Sequence, residues 1–182
     1  QDKESLEILK RKKNLRIIDI SNFNIKNILS VKSFSGSFLL QSKDNIVLDR
    51  KRLKCVTKLK PNNKELAEIQ FAFNVCKHVK SNAIVLCNNF STIGIGAGQP
   101  SRLDSCKIAI QKAKQFQFSK IKNSVAASDA FFPFTDGIKT LIKAGIKTIV
   151  QPGGSIRDQE VINEADKAKV KMLFTGIRHF NH

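Results

Sequence analysis

The first stretch that could do chemistry is GIGAGQPSR at Gly94–Arg102, which combines glycines with an arginine. Small residues let a backbone approach a ligand closely, and a helix that starts near Pro100 would offer N–H groups and a positive dipole end to an anion. Arg102 would add a guanidinium in the first turn. The spacing fits neither the G-x-G-x-x-G fingerprint nor the Walker loop. An anion site and a hairpin that needs small residues for packing both stay open.

Three further loops carry residues suited to binding. Ser128–Asp136 holds three Phe and two Asp, which suits a flat heterocycle, although a buried aromatic turn with Asp136 as N-cap is the favoured alternative. Gln151–Ser155 (QPGGS) precedes a helix, where either a ligand anion or the Ser155 side chain could use the free N–H groups. Arg178–His182 combines Arg, His and Phe, but chain ends are often disordered.

Alternating strands and helices in the last third would position these loops. The predicted elements are strand Ser124–Ala127, helix Asp136–Ala144, strand Ile146–Val150, helix Ile156–Lys169 with Ser155 as N-cap, and strand Val170–Phe174. This order implies a parallel sheet with right-handed crossovers. Because open α/β sheets bind ligands beyond the carboxyl ends of their strands, we expect the loops to meet at one edge.

The upstream part is less regular. Its predicted elements are helix Asp2–Lys13, strand Leu15–Ile20, loop Asn22–Lys32, strand Phe34–Leu40, polar connection Asp44–Lys58 with a short strand Lys54–Thr57, a helix from Pro61, a hairpin of Ala83–Cys87 with Ser91–Ile95, and helix Pro100–Phe116. The helix after Pro61 carries one apolar stripe that predicts core packing: Leu66, Ile69, Phe73 and Cys76.

Composition limits the classes of function. The net charge of +17 fits an anion-binding protein, but abundant Lys, Asn, Ile and Phe without Trp or Tyr favours mutational drift in an AT-rich genome. An RNA-binding module is not favoured, because RRM-type interleaving of aromatic and basic residues and a KH-type GXXG are missing. No C-x-x-C or zinc-deaminase motif occurs, so we expect four reduced, buried cysteines and no zinc. No apolar run predicts a membrane span.

Five segments together carry a specific resemblance: VKSNAIVL, IGIGAGQPSR, ASDAFFPFTDG, QPGGSIRDQEVI and FTGIRHFNH. In order and spacing they resemble the C-terminal region of the bifunctional purine-biosynthesis enzymes that combine AICAR transformylase with IMP cyclohydrolase. The resemblance runs from about Leu6 to His182 and is strongest from Lys77 onward. We therefore interpret the chain, which begins at Gln1 rather than Met, as the C-terminal part of a longer one.

The resemblance implies an α/β protein with a cytidine-deaminase-like three-layer fold and a mostly parallel sheet in its C-terminal part. Residues 1–60 would be a connecting segment, and residues 61–182 would be the second cytidine-deaminase-like subdomain of the transformylase domain. The implied reaction is formyl transfer from 10-formyltetrahydrofolate to the amine of AICAR during IMP synthesis. The expected setting is a cytoplasmic homodimer that has no membrane partner and binds no specific nucleic acid.

The resemblance also implies site residues. The AICAR-binding set is Asn82, Arg102, Phe131, Arg178 and Phe180, with Arg102 on the phosphate. The folate-binding set is Leu103, Asp136, Ser155 and Ile156. A structural potassium ion, as an optional cofactor, would lie near Asp129 and His182.

The family's catalytic Lys-His pair, in a K-H-x-x-P-C-G-like motif, has no match here. Lys77-His78 is followed by Val79-Lys-Ser-Asn82 and matches a non-catalytic helix end, so it is interpreted as a decoy. The pair would come from the missing N-terminal half of the parent chain. Ser37 and Ile110 stand where the family usually has Gly, which indicates drift in packing. The alternatives are a non-catalytic nucleotide-binding remnant and a basic RNA-binding protein.

Overall fold

The computed structural model describes residues 3–20, 29–42 and 44–181, and the chain divides into two compact units, Gln1–Asn45 and Ile46–His182. The predicted boundary after residue 60 falls elsewhere, so the predicted connecting segment 1–60 spans both units. Residues 46–60 belong to the second unit because Leu48 is buried in its core and Lys54–Cys55 pairs with its sheet. Within the described ranges, no helix is both long enough and apolar enough to cross a membrane.

The first unit contains helix α1 (Lys3–Lys10) and an antiparallel hairpin of β1 (Leu29–Phe34) and β2 (Ser37–Ser42). The helix confirms the prediction with shorter ends. The predicted strand Leu15–Ile20 is wrong, because no described strand pairs with this segment. The predicted loop Asn22–Lys32 is strand from Leu29 onward, and its residues 22–28 lie outside the described ones.

The predicted strand Phe34–Leu40 is two strands joined by a tight turn. Ser35 and Gly36 both have positive φ, 42° and 77°, which is the conformation of two-residue hairpin loops. Ser35 gave no sequence signal for this turn, since non-glycine residues seldom adopt positive φ.

The second unit is built on a mixed six-stranded sheet. In chain order the strands are β3 (Lys54–Cys55), β4 (Ile84–Asn88), β5 (Ser91–Gly96), β6 (Val125–Ser128), β7 (Thr148–Gln151) and β8 (Lys171–Phe174). Their spatial order is β3-β8-β7-β6-β4-β5. The β6-β7-β8 part is parallel, as predicted, and the β4-β5 hairpin is also confirmed. The remaining pairs, β3-β8 and β4-β6, are antiparallel.

Helices cover both faces of this sheet. They are α2 (Asn63–Cys76), α3 (Arg102–Gln117), α4 (Thr135–Lys143) and α5 (Asp158–Lys167). Successive residues of one strand point to opposite faces, so Val85 packs with α2 in one core cluster while Ile84 and Leu86 pack with α3, α4 and α5 in the other. The second unit is thus an α/β structure of three layers.

The start of α2 agrees with the prediction made from the local sequence. α2 starts after Pro61, as predicted, with Asn62 as N-cap: the Asn62 side chain accepts from Glu65 N (2.9 Å), and Glu65 accepts from Asn62 N (2.8 Å). The predicted stripe on α2 is confirmed, with Ile69 and Phe73 fully buried. This capping box satisfies two backbone donors that would otherwise lack partners.

The predicted N-cap of α5 is wrong. The helix begins at Asp158 rather than Ile156, and Ser155 instead accepts a hydrogen bond from Arg157 N (3.1 Å) in the preceding turn. Gly153 and Gly154 have φ of 73° and 96°, and the Asp158 carboxylate accepts from Gly154 N (2.6 Å). Ile156 and Arg157, which the pattern assigned to the helix, therefore lie in the turn that precedes it.

Candidate functional site

One cavity of about 470 Å³ lies between the start of α3, the loop after β6 and the C-terminal segment. Seven of the nine predicted substrate-binding residues line it: Asn82, Arg102, Leu103, Phe131, Asp136, Arg178 and Phe180. Two of the three predicted loops therefore meet here. The volume lies within the range of ordinary small-molecule sites.

Arg102, the first residue of α3, is held inside the protein and is only 8% exposed. Its Nη1 donates to Ser128 Oγ (2.8 Å) and forms an ion pair with the fully buried carboxylate of Asp129. Its Nη2 donates to Asn82 Oδ1 (3.0 Å). The guanidinium is thus oriented by three protein acceptors before any ligand is considered, because its planar fork fixes several donors at once.

The glycines before Arg102 have a packing role. A Cβ on Gly94 would lie 2.1 Å from the backbone oxygen of Ala109, and one on Gly96 would lie 1.9 Å from that of Ser105. Both contacts are far inside normal separations, so β5 and α3 approach each other only because these positions lack side chains. Of the two open interpretations of GIGAGQPSR, the packing interpretation is confirmed for Gly94 and Gly96.

The C-terminal segment is held against the sheet by a second set of hydrogen bonds around Asp129. Ser81 Oγ donates to Asp129 Oδ2 (2.6 Å) and accepts from Asn181 N (3.1 Å). Ser81 N donates to Asn181 O (2.9 Å), and His179 N donates to Asp129 O (3.0 Å). The His179 ring is buried against Phe73, with ring centroids 4.9 Å apart. These bonds place Arg178 and Phe180 at the cavity.

The side chains that face solvent at the cavity differ in charge and shape. Arg178 is exposed, and its guanidinium carbon lies 5.5 Å from the centre of the Phe180 ring, within cation–π range. Phe131 is half-buried, and Asp136 is exposed in the first turn of α4, where it accepts from Gly137 N (2.7 Å). The cavity therefore offers a cation, aromatic rings and a carboxylate to a ligand.

Comparison with known proteins decides the family. A family model described as AICARFT/IMPCHase bienzyme matches residues 1–112 of this chain. The chain belongs to this family. The match confirms the resemblance inferred from the five sequence segments.

Curated relatives match this chain over nearly its whole length. Proteins named "Bifunctional purine biosynthesis protein PurH" are similar to it. The protein of Aquifex aeolicus is 49% identical over a match that covers 100% of this chain and 35% of the relative. The proteins of Bartonella tribocorum and Thermoanaerobacter sp. are each 50% identical; the match covers 97% of this chain and 34% of the first, and 100% of this chain and 35% of the second. The chain spans about a third of the length of these relatives. A solved structure, "Acinetobacter baumannii RibD, form 1", matches at a TM-score of 0.45 and 14% identity over 60% of this chain and 35% of that one, too weakly to inform the fold.

Two predicted folate-binding residues of this family member lie outside the cavity lining. Ser155 and Ile156 sit in the turn before α5, where Ile156 is fully exposed and Ser155 partly so. His182, predicted near a potassium ion, lies outside the described residues. Lys77-His78 is also absent from the lining: Lys77 Nζ donates to Ile46 O (2.7 Å) at the end of α2, and His78 is exposed.

The cysteines of this chain are free, and three of them are buried as predicted, while Cys55 is only partly buried. Burial raises the pKa of the Cys106 thiol, one turn after Arg102, to about 12, an effect that the Arg102 charge partly offsets. The thiol is therefore protonated at neutral pH and is not a nucleophile there. Within residues 3–20, 29–42 and 44–181, no three His, Cys, Asp or Glu side chains come together in a way that could hold a metal ion.

Sequence reasoning missed the residues that hold the site together. Ser81, Ser128 and Asn181 were not singled out, and Asp129 was considered only as an ion ligand, although all four are hydrogen-bonded within the Arg102 network or beside it. Serine and asparagine are common and carry no spacing signal. Only their long-range contacts identify them.

Proposed function

We propose that this chain is the AICAR formyltransferase segment of a bifunctional purine-biosynthesis enzyme whose parent chain is also an IMP cyclohydrolase. Its cavity would bind AICAR beside 10-formyltetrahydrofolate. The observation that carries the proposal is that seven residues predicted from the family resemblance line one cavity. The relatives' name, which specifies bifunctional purine biosynthesis, supports it.

The aminoimidazole ring and the phosphate of AICAR need different partners, and the cavity offers both. The Phe131 and Phe180 rings can stack on the heterocycle, and the Asp136 carboxylate can accept N–H groups of the folate. The phosphate is assigned to Arg178, since this guanidinium is exposed at the cavity. The family resemblance placed Arg102 on the phosphate, but three of its five N–H donors bind protein acceptors and its charge is paired with the buried Asp129. We propose instead that Arg102 orients Asn82 toward the ligand.

Chemistry at the AICAR amine needs groups that this chain is not expected to supply. The amine is conjugated with the ring and is a weak nucleophile, so transfer of a formyl group requires a proton acceptor and stabilisation of the developing oxyanion. In our proposal the family's Lys-His pair does this work from the other, cytidine-deaminase-like half of the transformylase domain. This chain would be the second such half, and the assembly would be a cytoplasmic homodimer. It would bind and orient both substrates.

The Asp129 region is also proposed to take a monovalent cation. Asp129 is fully buried, with one carboxylate oxygen paired with Arg102 and the other accepting from Ser81. A carboxylate oxygen keeps further acceptor capacity, so a cation beside Ser81 Oγ is chemically compatible with this arrangement. Its function there would be structural.

Calorimetric titration with AICAR and with its dephosphorylated riboside tests the assignment of the cavity. We expect Arg178→Gln to weaken AICAR binding by about tenfold or more, the range of a lost charge-assisted hydrogen bond, and to leave riboside binding nearly unchanged. Lys139→Gln, at an exposed lysine on α4, is the control for simple loss of charge. Equal losses for both ligands would exclude Arg178 as the phosphate ligand.

A turnover assay separates this proposal from that of a binding remnant. We expect the chain alone to bind AICAR and to form no formylated product with 10-formyltetrahydrofolate. Product formed by the chain alone would show that the Lys-His pair is not required from elsewhere. Addition of a separately expressed first half of the transformylase domain should restore formyl transfer. If it restores none while AICAR still binds, the remnant is the better description.

A further inference from the structure

The turn between β7 and α5 lies beside the cavity without lining it. β7 is the parallel neighbour of β6, so the loops that follow these two strands leave the sheet at the same edge. The loop after β6 supplies residues 130–134 to the cavity lining, whereas residues 152–157 of the turn after β7 supply none. Any effect of this turn on a bound ligand must therefore pass through the loop after β6.

Two contacts join the turn to that loop. Phe132 N donates to Oε1 of Gln151 (2.9 Å), and both residues are buried. The Gln151 amide is also held at its other end, because Nε2 donates to Met172 Sδ (3.3 Å). In the second contact, the guanidinium carbon of Arg157 lies over the Phe134 ring, 4.8 Å from its centre, which is within cation–π range. The first contact fixes the loop backbone, and the second acts on a side chain at the cavity.

The Phe134 ring needs such a contact more than its neighbour does. Phe134 lines the cavity and is 51% exposed, whereas the Phe132 ring is 1% exposed and is fixed by packing. The Phe134 backbone is extended, with φ −143° and ψ 169°, and this conformation permits more than one side-chain rotamer. Contact with the Arg157 guanidinium favours the rotamer in which the ring lies beneath it.

Helix stability does not explain why an arginine stands at position 157. Arg157 is the N-cap residue of α5, where Ser, Thr, Asp and Asn are preferred, and its charge meets the positive end of the helix dipole. Its Nη1 lies 3.9 Å from Glu160 Oε2 in an exposed pair, and such pairs contribute little to stability. Residues that break local rules in this way are expected at functional sites.

The backbone of the turn gives Arg157 a defined starting point. Arg157 N donates to Ser155 Oγ (3.1 Å), and Asp158 N donates to Ser155 O (3.1 Å). The Asp158 carboxylate accepts from Gly154 N (2.6 Å). With the backbone fixed on both sides of Arg157, its side chain reaches the Phe134 ring from one direction only.

We infer that Arg157 is a positioning residue, which holds the Phe134 ring at the part of the cavity that binds the folate. The inference rests on the proposed function, which assigns Asp136 to the folate; Phe134 stands two residues before Asp136, and both line the cavity. Folate carries flat rings that a phenylalanine can contact. A ring that is ordered beforehand spares the ligand an ordering cost that weakens binding by about two- to tenfold for one side chain.

Fluorine NMR of the complete chain tests the contact itself. The chain is produced with para-fluorophenylalanine, and the Phe134 signal is the one that disappears in Phe134→Leu. We expect Arg157→Gln to move this signal toward that of the free amino acid, because the ring loses its cation. Glu160→Gln is the matched control, since it removes the ion pair of Arg157 and leaves the ring contact. A Phe134 signal that Arg157→Gln leaves in place would overturn the inference.

Calorimetric titration with 10-formyltetrahydrofolate and with AICAR tests the effect on binding. We expect Arg157→Gln to weaken folate binding by about two- to tenfold. AICAR binding should change by less than about twofold, because its ring is assigned to Phe131 and Phe180. Arg157→Lys keeps a cation that can lie over the ring and should recover part of the lost affinity. In a Phe134→Leu background, Arg157→Gln should have no further effect.

The titrations also separate this inference from the proposed function. Folate binding that Arg157→Gln leaves unchanged overturns the inference alone, and the proposed function stands. Equal weakening of both ligands would show that Arg157 supports the whole loop rather than one ring. Additive losses in the double variant of Arg157 and Phe134 would show that Arg157 acts on the ligand directly. Absence of binding of either ligand to the unaltered chain would overturn the proposed function and leave Arg157 no ligand to serve, whatever the NMR result.

Discussion

Replacing Arg102 by Ala should destabilise the chain far more than the loss of an ordinary arginine. The change leaves the Asp129 carboxylate, which is fully buried, without its cation, and it leaves Asn82 and Ser128 without a donor. Breaking a buried ion pair from one side costs about 3–5 kcal/mol, because the remaining charge stays desolvated. Since whole domains are stable by only about 5–15 kcal/mol, much of the total would be lost.

Urea unfolding followed by far-UV circular dichroism measures this loss, because the chain has no Trp or Tyr for fluorescence. Arg157→Ala is the matched control: its partner Glu160 is 3.9 Å away, and both side chains are about half exposed. We expect the control to change the free energy of unfolding by less than about 1 kcal/mol, as for other exposed pairs. A difference between the two variants of under roughly 1 kcal/mol would refute the buried-pair argument.

A double-mutant cycle with Asp129→Asn separates the ion pair from the other contacts. If Arg102 and Asp129 act as one unit, the double variant should be less destabilised than the sum of the single variants by about 1–3 kcal/mol. Arg102→Lys is a further comparison, since lysine keeps the charge but cannot present two parallel donors to Asp129 and Asn82. Recovery of full stability by lysine would show that charge alone matters.

Three further predictions concern packing, reactivity and capping. Gly96→Ala should destabilise the chain by about 3 kcal/mol or more, because its Cβ would overlap the α3 backbone. Gly98→Ala, at φ 66° and with Lys80 Cβ at an ordinary contact distance of 3.8 Å, should cost only about 1 kcal/mol in the same urea assay. Cys55 should react with iodoacetamide before Cys106, whose pKa burial raises from 9.0 to about 12, and mass spectrometry of digested protein identifies the site. The stabilisation linked to the protonated Cys106 thiol should be complete below about pH 9 and be lost as the pH rises toward 12. Asn62→Ala should lower the free energy of unfolding by about 1 kcal/mol through loss of the capping box, as measured by urea unfolding. An unchanged urea midpoint would contradict this.

The parallel part of the sheet could be predicted because its signals are local. Buried strands such as Thr148–Gln151 alternate with amphipathic helices that end near residues such as Gly145. The sequence pattern that predicts each strand, each helix and each helix end therefore lies within about ten residues. The first unit offered weaker signals. Its described strands are exposed along their whole length, so no apolar alternation marks a buried face. The segment Leu15–Ile20 alternates like a strand and yet has no described strand to pair with.

The cavity could be predicted only in part, since resemblance gives residues and not their partners. It named Asn82, Arg102 and Arg178, which come from distant parts of the chain and which all line the cavity. It gave no indication that Arg102 is paired inside the protein, because Asp129 is 27 residues away in sequence. Register and helix approach determine that contact, and neither can be obtained from the type of a residue.

The glycine spacing and the buried arginine are parts of one arrangement. Because Gly94 and Gly96 lack Cβ atoms, α3 lies directly on β5, and its first residue is carried to the carboxyl end of β6, where Ser128 and Asp129 accept from it. A side chain at either glycine would push α3 outward and lengthen those contacts. The motif therefore acts on the cavity through packing: it fixes Arg102, Arg102 orients Asn82, and Asp129 links both to the segment that carries Arg178. It follows that Gly96→Ala should weaken AICAR binding as well as stability, although the glycine does not line the cavity.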